Sequence, residues 1–205
     1  GVAHEIRNPL NAISMACQRL RPDNLQQLST VIRNEIRRLN EIVEEFLGLS
    51  RGRQLKLERG DLADLVRQVG SLMGEESRSR GVALQTNGTE SCLMMLMDGN
   101  KIKQALINIV KNAMESITGS GTVTILMSSK EKDKAVISIS DTGTGLVEDD
   151  VDKIFNLDFT TKEKGLGLGL ALAHEIIQAH SGEIRVRSAP GVGTTFEIAL
   201  PMAGK

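Results

Sequence analysis

The sequence contains no Trp and no Tyr, and only four Phe. That removes the aromatic platform on which single-stranded nucleic acids usually stack. Its two cysteines, Cys17 and Cys92, stand far apart with no CxxC pair. That argues against a metal site or a disulfide framework, and two lone thiols suit a reducing, cytosolic setting. Opposite charges nearly cancel, leaving a net charge of −1. There is no general electrostatic case for nucleic acid or for an anionic membrane surface. No apolar run reaches bilayer-spanning length and no signal peptide is visible, so no membrane contact is expected of this stretch. The 205 residues, 40% hydrophobic and 25% charged, are enough for one large or two small globular domains. The chain opens at Gly1 inside a helical pattern, so it reads as part of something longer.

Two helices come first. Ile6, Leu10, Ile13, Cys17 and Leu20 step at heptad-like intervals across residues 1–21. Pro9 interrupts that pattern and predicts a kink near residues 5–8. After a turn at 21–24, with Asp23 as candidate N-cap, residues 24–50 carry a second seam: Leu25, Leu28, Ile32, Ile36, Leu39, Val43 and Phe46. A lone hairpin cannot bury two seams, so a homodimeric four-helix bundle is expected.

Beyond a hinge at 48–53 the pattern changes. Strands are predicted at 55–58, 82–86, 92–97, 123–129, 135–141, 183–188 and 194–200, and helices at 61–80, 99–117 and 168–180. This is an α+β arrangement: a mixed, mostly antiparallel sheet with helices on one face. The expected domains are 1–51 and 52–205.

Three clusters carry possible chemistry. Gly165-Leu-Gly-Leu-Gly169 runs directly into an apolar helix. Such glycines let backbone N–H groups approach a ligand, and the helix start favours phosphate. The spacing is neither GxGxxG nor GxxxxGK[ST]. Asn108 and Asn112 share one helix face, as magnesium ligands or as part of a solvated surface. Asp141 ends a strand before Gly143 and Gly145, placed either to accept from an exocyclic amine or to cap a turn. At the first helix, His4 and Asn8 share a face, and Glu5 adjoins the imidazole. A neutral imidazole is a competent nucleophile. His174 and His180 are expected to be inert, the latter as a cation favoured at a helix C-terminus.

In this order the motifs resemble those of sensor histidine kinases of two-component systems. His4-Glu-Ile-Arg-Asn-Pro-Leu10 resembles the H box and Asn108-Ile-Val-Lys-Asn-Ala-Met-Glu115 the N box. Asp141-Thr-Gly-Thr-Gly145 resembles the G1 box, and 154–162 the F box. Gly165–Gly169 resembles the G2 box and Gly191-Val-Gly-Thr-Thr-Phe196 the last glycine box.

The resemblance implies a dimerisation and histidine-phosphotransfer hairpin followed by a Bergerat-type ATP-binding domain. It implies that His4 attacks the γ-phosphate of Mg-ATP, with Glu5 as base, and that Asn112 with Asn108 holds Mg²⁺. Lys111 would touch phosphate, Asp141 would read adenine, and Gly143 and Gly145 would admit the ring. Thr161, Lys162, Gly165, Leu166, Gly167, Leu168 and Gly169 would form the ATP lid, with Thr195 also at the nucleotide. The phosphoryl group would pass to an aspartate of a response regulator receiver domain, and Asn8 would orient water in the reverse, phosphatase direction. The resemblance is compatible with a cytoplasmic location for this portion and an inner-membrane anchor elsewhere in the full-length protein. The alternative is an ATPase of the related gyrase, chaperone and mismatch-repair superfamily. Those enzymes place a Glu where Asn108 stands, and Asn cannot serve as a general base.

Overall fold

The structure, a computed structural model, describes residues 2–51, 55–131, 133–156, 159 and 167–202; side chains at 2–5, 41, 44–51 and 129–131 are not described. Two helices, α1 (Val2–Gln18) and α2 (Leu25–Arg51), fold back on one another. They are followed by β1 (Glu58–Asp61), α3 (Leu62–Ser79), β2 (Val82–Asn87), β3 (Met94–Met97), α4 (Gly99–Glu115), β4 (Gly121–Glu131) and β5 (Lys134–Asp141). The short α5 (Glu148–Val151), then α6 (Leu168–Ala179), β6 (Glu183–Ala189) and β7 (Gly193–Pro201), complete the chain.

In the hairpin, α1 runs through Pro9, which is itself buried. The stripe that meets α2 is Pro9, Ala12, Ile13 and Ala16, about one position round from the predicted seam. Leu10 and Cys17, expected inside, are exposed in the single chain, as are Leu25, Ile36 and Val43 of α2. Each helix thus carries a second apolar stripe beyond the one its neighbour covers. The turn also differs from expectation. Asn24, not Asp23, precedes α2; its Oδ1 accepts the Arg21 N–H at 2.8 Å and its Nδ2 donates to the Arg19 carbonyl at 3.0 Å.

A five-stranded sheet follows, ordered β2-β4-β5-β7-β6, with β2 parallel to β4 and every other pairing antiparallel. β1 and β3 form a separate antiparallel pair. The predicted strand 55–58 lies at 58–61, where pairing with Met94–Met97 places it. Alternation sorts the sheet residues. Val123, Ile125, Ile137, Ile139, Phe196 and Ile198 are buried under α3, α4 and α6, whereas Thr124, Ser138, Ser140 and Glu197 take the opposite face. Val66, Val69, Ile102, Leu106, Ile109, Leu172 and Ile176 supply the helical side of this core. Burying each such side chain stabilises by about 1.5–3 kcal/mol. Leu72 of α3 is exposed.

Asp61 caps α3 by accepting the Ala63 N–H at 3.0 Å, and Asp98 caps α4 by accepting the Lys101 N–H at 3.1 Å. The caps fix where both helices start relative to the strands before them. α6 has its own tie. At its C-terminal end, His180 Nε2 accepts the Asp98 N–H at 3.0 Å, and Nδ1 stands 2.8 Å from the Ile176 carbonyl. Both ring nitrogens are thus used, and His180 is a strut between the end of α6 and the start of α4.

Candidate active site

The site begins with β5. Its inward positions are Ala135, Ile137 and Ile139, and the next inward position is Asp141. Alternation therefore delivers a carboxylate, only 7% exposed, to the helix-covered side of the sheet. Its Oδ1 accepts from the Gly143 N–H at 2.8 Å, the Ser116 hydroxyl at 3.0 Å and the Thr194 N–H at 3.2 Å. Oδ2 has no partner among the described residues, and no fully buried side-chain oxygen there goes unsatisfied, so Oδ2 opens to solvent. The turn-cap reading is thus realised by one oxygen, while the other makes no hydrogen bond among the described residues. Burial pushes this carboxyl above the usual range, opposed by the Gly143, Ser116 and Thr194 donors.

The glycines after Asp141 are required by close approach. A side chain on Gly143 would collide with Ser116. Gly145, at φ 66°, packs against the Ala189 carbonyl, where a β-carbon would meet both strain and backbone. Gly191 N–H donates to the Thr144 carbonyl at 2.7 Å, holding the β6–β7 turn against this loop.

α4 forms the adjoining wall. Ile102, Leu106, Ile109, Val110, Ala113 and Met114 are buried, which leaves Asn108, Lys111, Asn112 and Ser116 half-buried along its flank. Asn108 Nδ2 donates to the Gly169 carbonyl at 3.1 Å, bringing the first turn of α6 to the middle of α4. Because the amide nitrogen is committed, Oδ1 is the end of Asn108 suited to a cation. Amide oxygens are hard ligands that fit Mg²⁺ shared with phosphates. Among the described residues no His, Cys, Asp and Glu cluster offers another metal site.

α6 starts at Leu168 behind Gly167, which sits at φ 68° with its Cα against the Phe159 backbone. The first turn has no side-chain cap, so its N–H groups remain available to an anion. Thr161, Lys162, Gly165 and Leu166 lie outside the described residues. Phe155 stacks on His174 with ring centroids 4.7 Å apart, so His174 braces the segment that follows α5.

Two expected positions have other partners for their side chains. The Thr195 hydroxyl pairs with Ser140 at 2.9 Å on the other side of the sheet. The neighbouring Thr194 meets Asp141 through its backbone N–H, while its hydroxyl pairs with Ser188 at 2.9 Å. Leu168 turns its side chain inward. It is buried against Ile42 of α2, and Ile6 of α1 packs on the pair. Within α1, Asn8 is exposed; the backbone at His4 and Glu5 is helical, and their side chains lie outside what is described.

Residues 1–55 match the family model of the His Kinase A (phospho-acceptor) domain. Residues 97–204 match that of the histidine kinase-, DNA gyrase B-, and HSP90-like ATPase. The chain belongs to the sensor histidine kinase family. Sensor histidine kinase ZraS of Escherichia coli (strain K12) is 36% identical over 98% of this chain and 44% of its own length. Sporulation kinase E of Bacillus subtilis (strain 168) is 33% identical over 98% of this chain and 28% of its own. The chain thus spans less than half of these relatives. Among solved structures, histidine kinase ThkA in complex with the response regulator protein TrrA superposes with a TM-score of 0.78 at 32% identity, covering 98% of this chain and 60% of that one. Full-length ShkA in complex with AMPPNP gives 0.80 at 26% identity, over 98% and 45%.

For this histidine kinase, sequence reasoning missed Ser116 and Thr194. Both reach Asp141 from elements remote in sequence: Thr194 through a backbone N–H that any residue supplies, and Ser116 through a hydroxyl that carries no local signal of the contact.

Proposed function

We propose that this chain is the catalytic portion of a sensor histidine kinase that phosphorylates His4 from ATP and hands the phosphoryl group to a response regulator. The observation that carries the reading is the layout along α4: Asn108 bonded to the glycine-rich start of α6, and, two turns on, Ser116 bonded to the Asp141 carboxylate. One helix therefore flanks both the carboxylate end and the glycine-rich end of a single site. Asp141 Oδ2 accepts from the adenine amine, and the α6 N–H groups with Lys111, Lys162 and the glycines at 165, 167 and 169 receive the phosphates. Asn112 and Asn108 hold Mg²⁺, which when bound neutralises phosphate charge. Phosphoryl transfer needs such positioning and charge compensation more than covalent assistance.

The His4 imidazole attacks the γ-phosphorus in line. A P–N bond forms, the bond to the β-γ bridging oxygen breaks, ADP leaves, and Glu5 takes the imidazole proton. The phosphohistidine then passes its phosphoryl group to an aspartate carboxylate of a receiver domain. In reverse, Asn8 orients a water that hydrolyses the phosphoaspartate. The uncovered stripes on α1 and α2 support a homodimeric bundle. The likeness to ThkA, solved with its response regulator, supports the receiver partner. The domain division falls at 51/52, and this portion works in the cytoplasm. No described helix is long and apolar enough to cross a membrane.

Incubation with γ-labelled Mg-ATP tests the reading. Acid-labile, base-stable label on the chain, absent from His4→Gln, is the expected result. Steady phosphate release without labelled protein, unchanged in His4→Gln, would return the superfamily ATPase reading despite Asn108.

A further inference from the structure

Ser116 is left without a role by the nucleotide reading, yet it touches three residues of the Asp141–Gly145 loop. It is the C-cap of α4. Its hydroxyl lies 3.0 Å from Asp141 Oδ1 and 2.8 Å from the Ala113 carbonyl. Its own carbonyl accepts the Thr144 N–H at 3.0 Å, and its side chain fills the space where Gly143 would carry a β-carbon. One hydroxyl proton serves two acceptors, and an ionised carboxylate is the stronger acceptor, so the proton leans toward Asp141.

Donors converge on Oδ1 from the loop, from β7 and from α4, and Ser116 is the side chain among them. Rotating the carboxylate out of its plane would sacrifice all of these bonds at once, whereas a half-turn only exchanges two equivalent oxygens. The plane is therefore fixed, with one oxygen held by the three donors and the other directed away from them. We propose that Ser116 is the positioning residue that gives this chain its preference for a 6-aminopurine, by locking the plane of the Asp141 carboxylate from the end of α4. The inference rests on the reading of Asp141 as the adenine contact. It also joins the two ends of the site, because the residue that aims the base contact lies one helical turn beyond Asn112.

Burial raises the Asp141 carboxyl, while Gly143, Ser116 and Thr194 lower it; no charged side chain among the described residues shifts it. Loss of the Ser116 donor therefore moves the acid limit of base recognition to higher pH.

The test is equilibrium binding, by calorimetry and across pH, of ATP and of a purine riboside triphosphate lacking the 6-amino group. Ser116→Ala is expected to weaken ATP binding roughly tenfold, the scale of a lost hydrogen bond to a charged group. Binding of the deaminated analogue should hardly change, and the acid limb for ATP should move up. Ser116→Cys, which keeps a γ atom but donates weakly, should lose the preference too. Full ATP-over-analogue preference with an unmoved acid limb in either variant, whatever its melting temperature, would reduce Ser116 to a helix cap and overturn the proposal. Asp141→Asn separates the levels. If it binds ATP as the parent does, the adenine reading falls and this inference with it. If it loses the preference while Ser116→Ala retains it, the role of Ser116 alone falls.

Discussion

Leu168, the first residue of α6, packs directly against Ile42 of α2, and Ile6 closes over both. The glycine-rich entrance to α6 thus leans on the helix pair that bears His4, two residues from Ile6. The contact is small, a few apolar side chains, each contributing on the order of 1.5–3 kcal/mol when fully buried. Ile42→Ala is expected to release it. Small-angle scattering should show a larger radius of gyration, while ATP affinity stays near that of the parent. An unchanged radius would mean that other contacts hold the two parts together.

Asp141→Asn should separate stability from binding. The folded-state carboxyl is held above its ordinary range, chiefly by burial. Its proton therefore stabilises the fold fully below the unfolded-state value, and that contribution is lost as pH rises through the folded value. Asn keeps an oxygen for the Gly143, Ser116 and Thr194 donors without the charge. Without nucleotide, the variant should melt at or above the parent at neutral pH, and the difference should fade as pH falls through the raised value. ATP affinity should drop at least about tenfold. Thermal melts across pH, with and without ATP, check both limbs.

Asp98 has the opposite sign. Burial pushes its carboxyl up, but the N–H groups of Lys56 and Lys101 outweigh that and hold it below the ordinary value. Its stabilisation is present above the unfolded-state value and lost as pH falls through the folded one. Asp98→Ala removes the α4 cap and the bond to Lys56 N–H at 3.0 Å. A loss of about 2 kcal/mol is expected at neutral pH, shrinking in acid. Urea unfolding at both conditions measures it.

His180→Ala should leave the Asp98 N–H without its acceptor, at a cost of about 1–3 kcal/mol. Hydrogen exchange should accelerate at the Asp98 amide and in the last turn of α6, with the first turn unaffected. Equal acceleration along the whole helix would show a global loss instead.

Much of this could be read from the chain because periodicity reports burial directly. β5 and β7 alternate cleanly since one face meets helices and the other does not. The start of α3 is legible because Asp61 is a recognisable cap, and α4 shows itself by its apolar period, with the Asp98 cap seen only in the structure. β1 was misplaced because Gly60 and Asp61 are poor strand formers, held in place by pairing with Met95 and Met94. α5, only Glu148–Val151, is too short to show a period. At the site, Asp141, Asn108 and the box that holds Thr194 stand in motifs, whereas Ser116 lies just outside one and the Thr194 contact is made by its backbone N–H. The Thr194 and Ser116 contacts to Asp141 cross 53 and 25 residues of sequence, and only the folded chain brings them together.

The His180 strut gives α6 unequal ends. Its C-terminal end is pinned to the start of α4 through Asp98, and its N-terminal end, at Leu168, rests on the bundle. Between those ends, Asn108 ties the first turn to the middle of α4 through the Gly169 carbonyl. A displacement of the bundle at Ile42 would therefore be handed on to α4 as well as to the start of α6, and α4 ends on Ser116 at the Asp141 carboxylate. The helix pair and the far end of the site are thus joined through two packed helices.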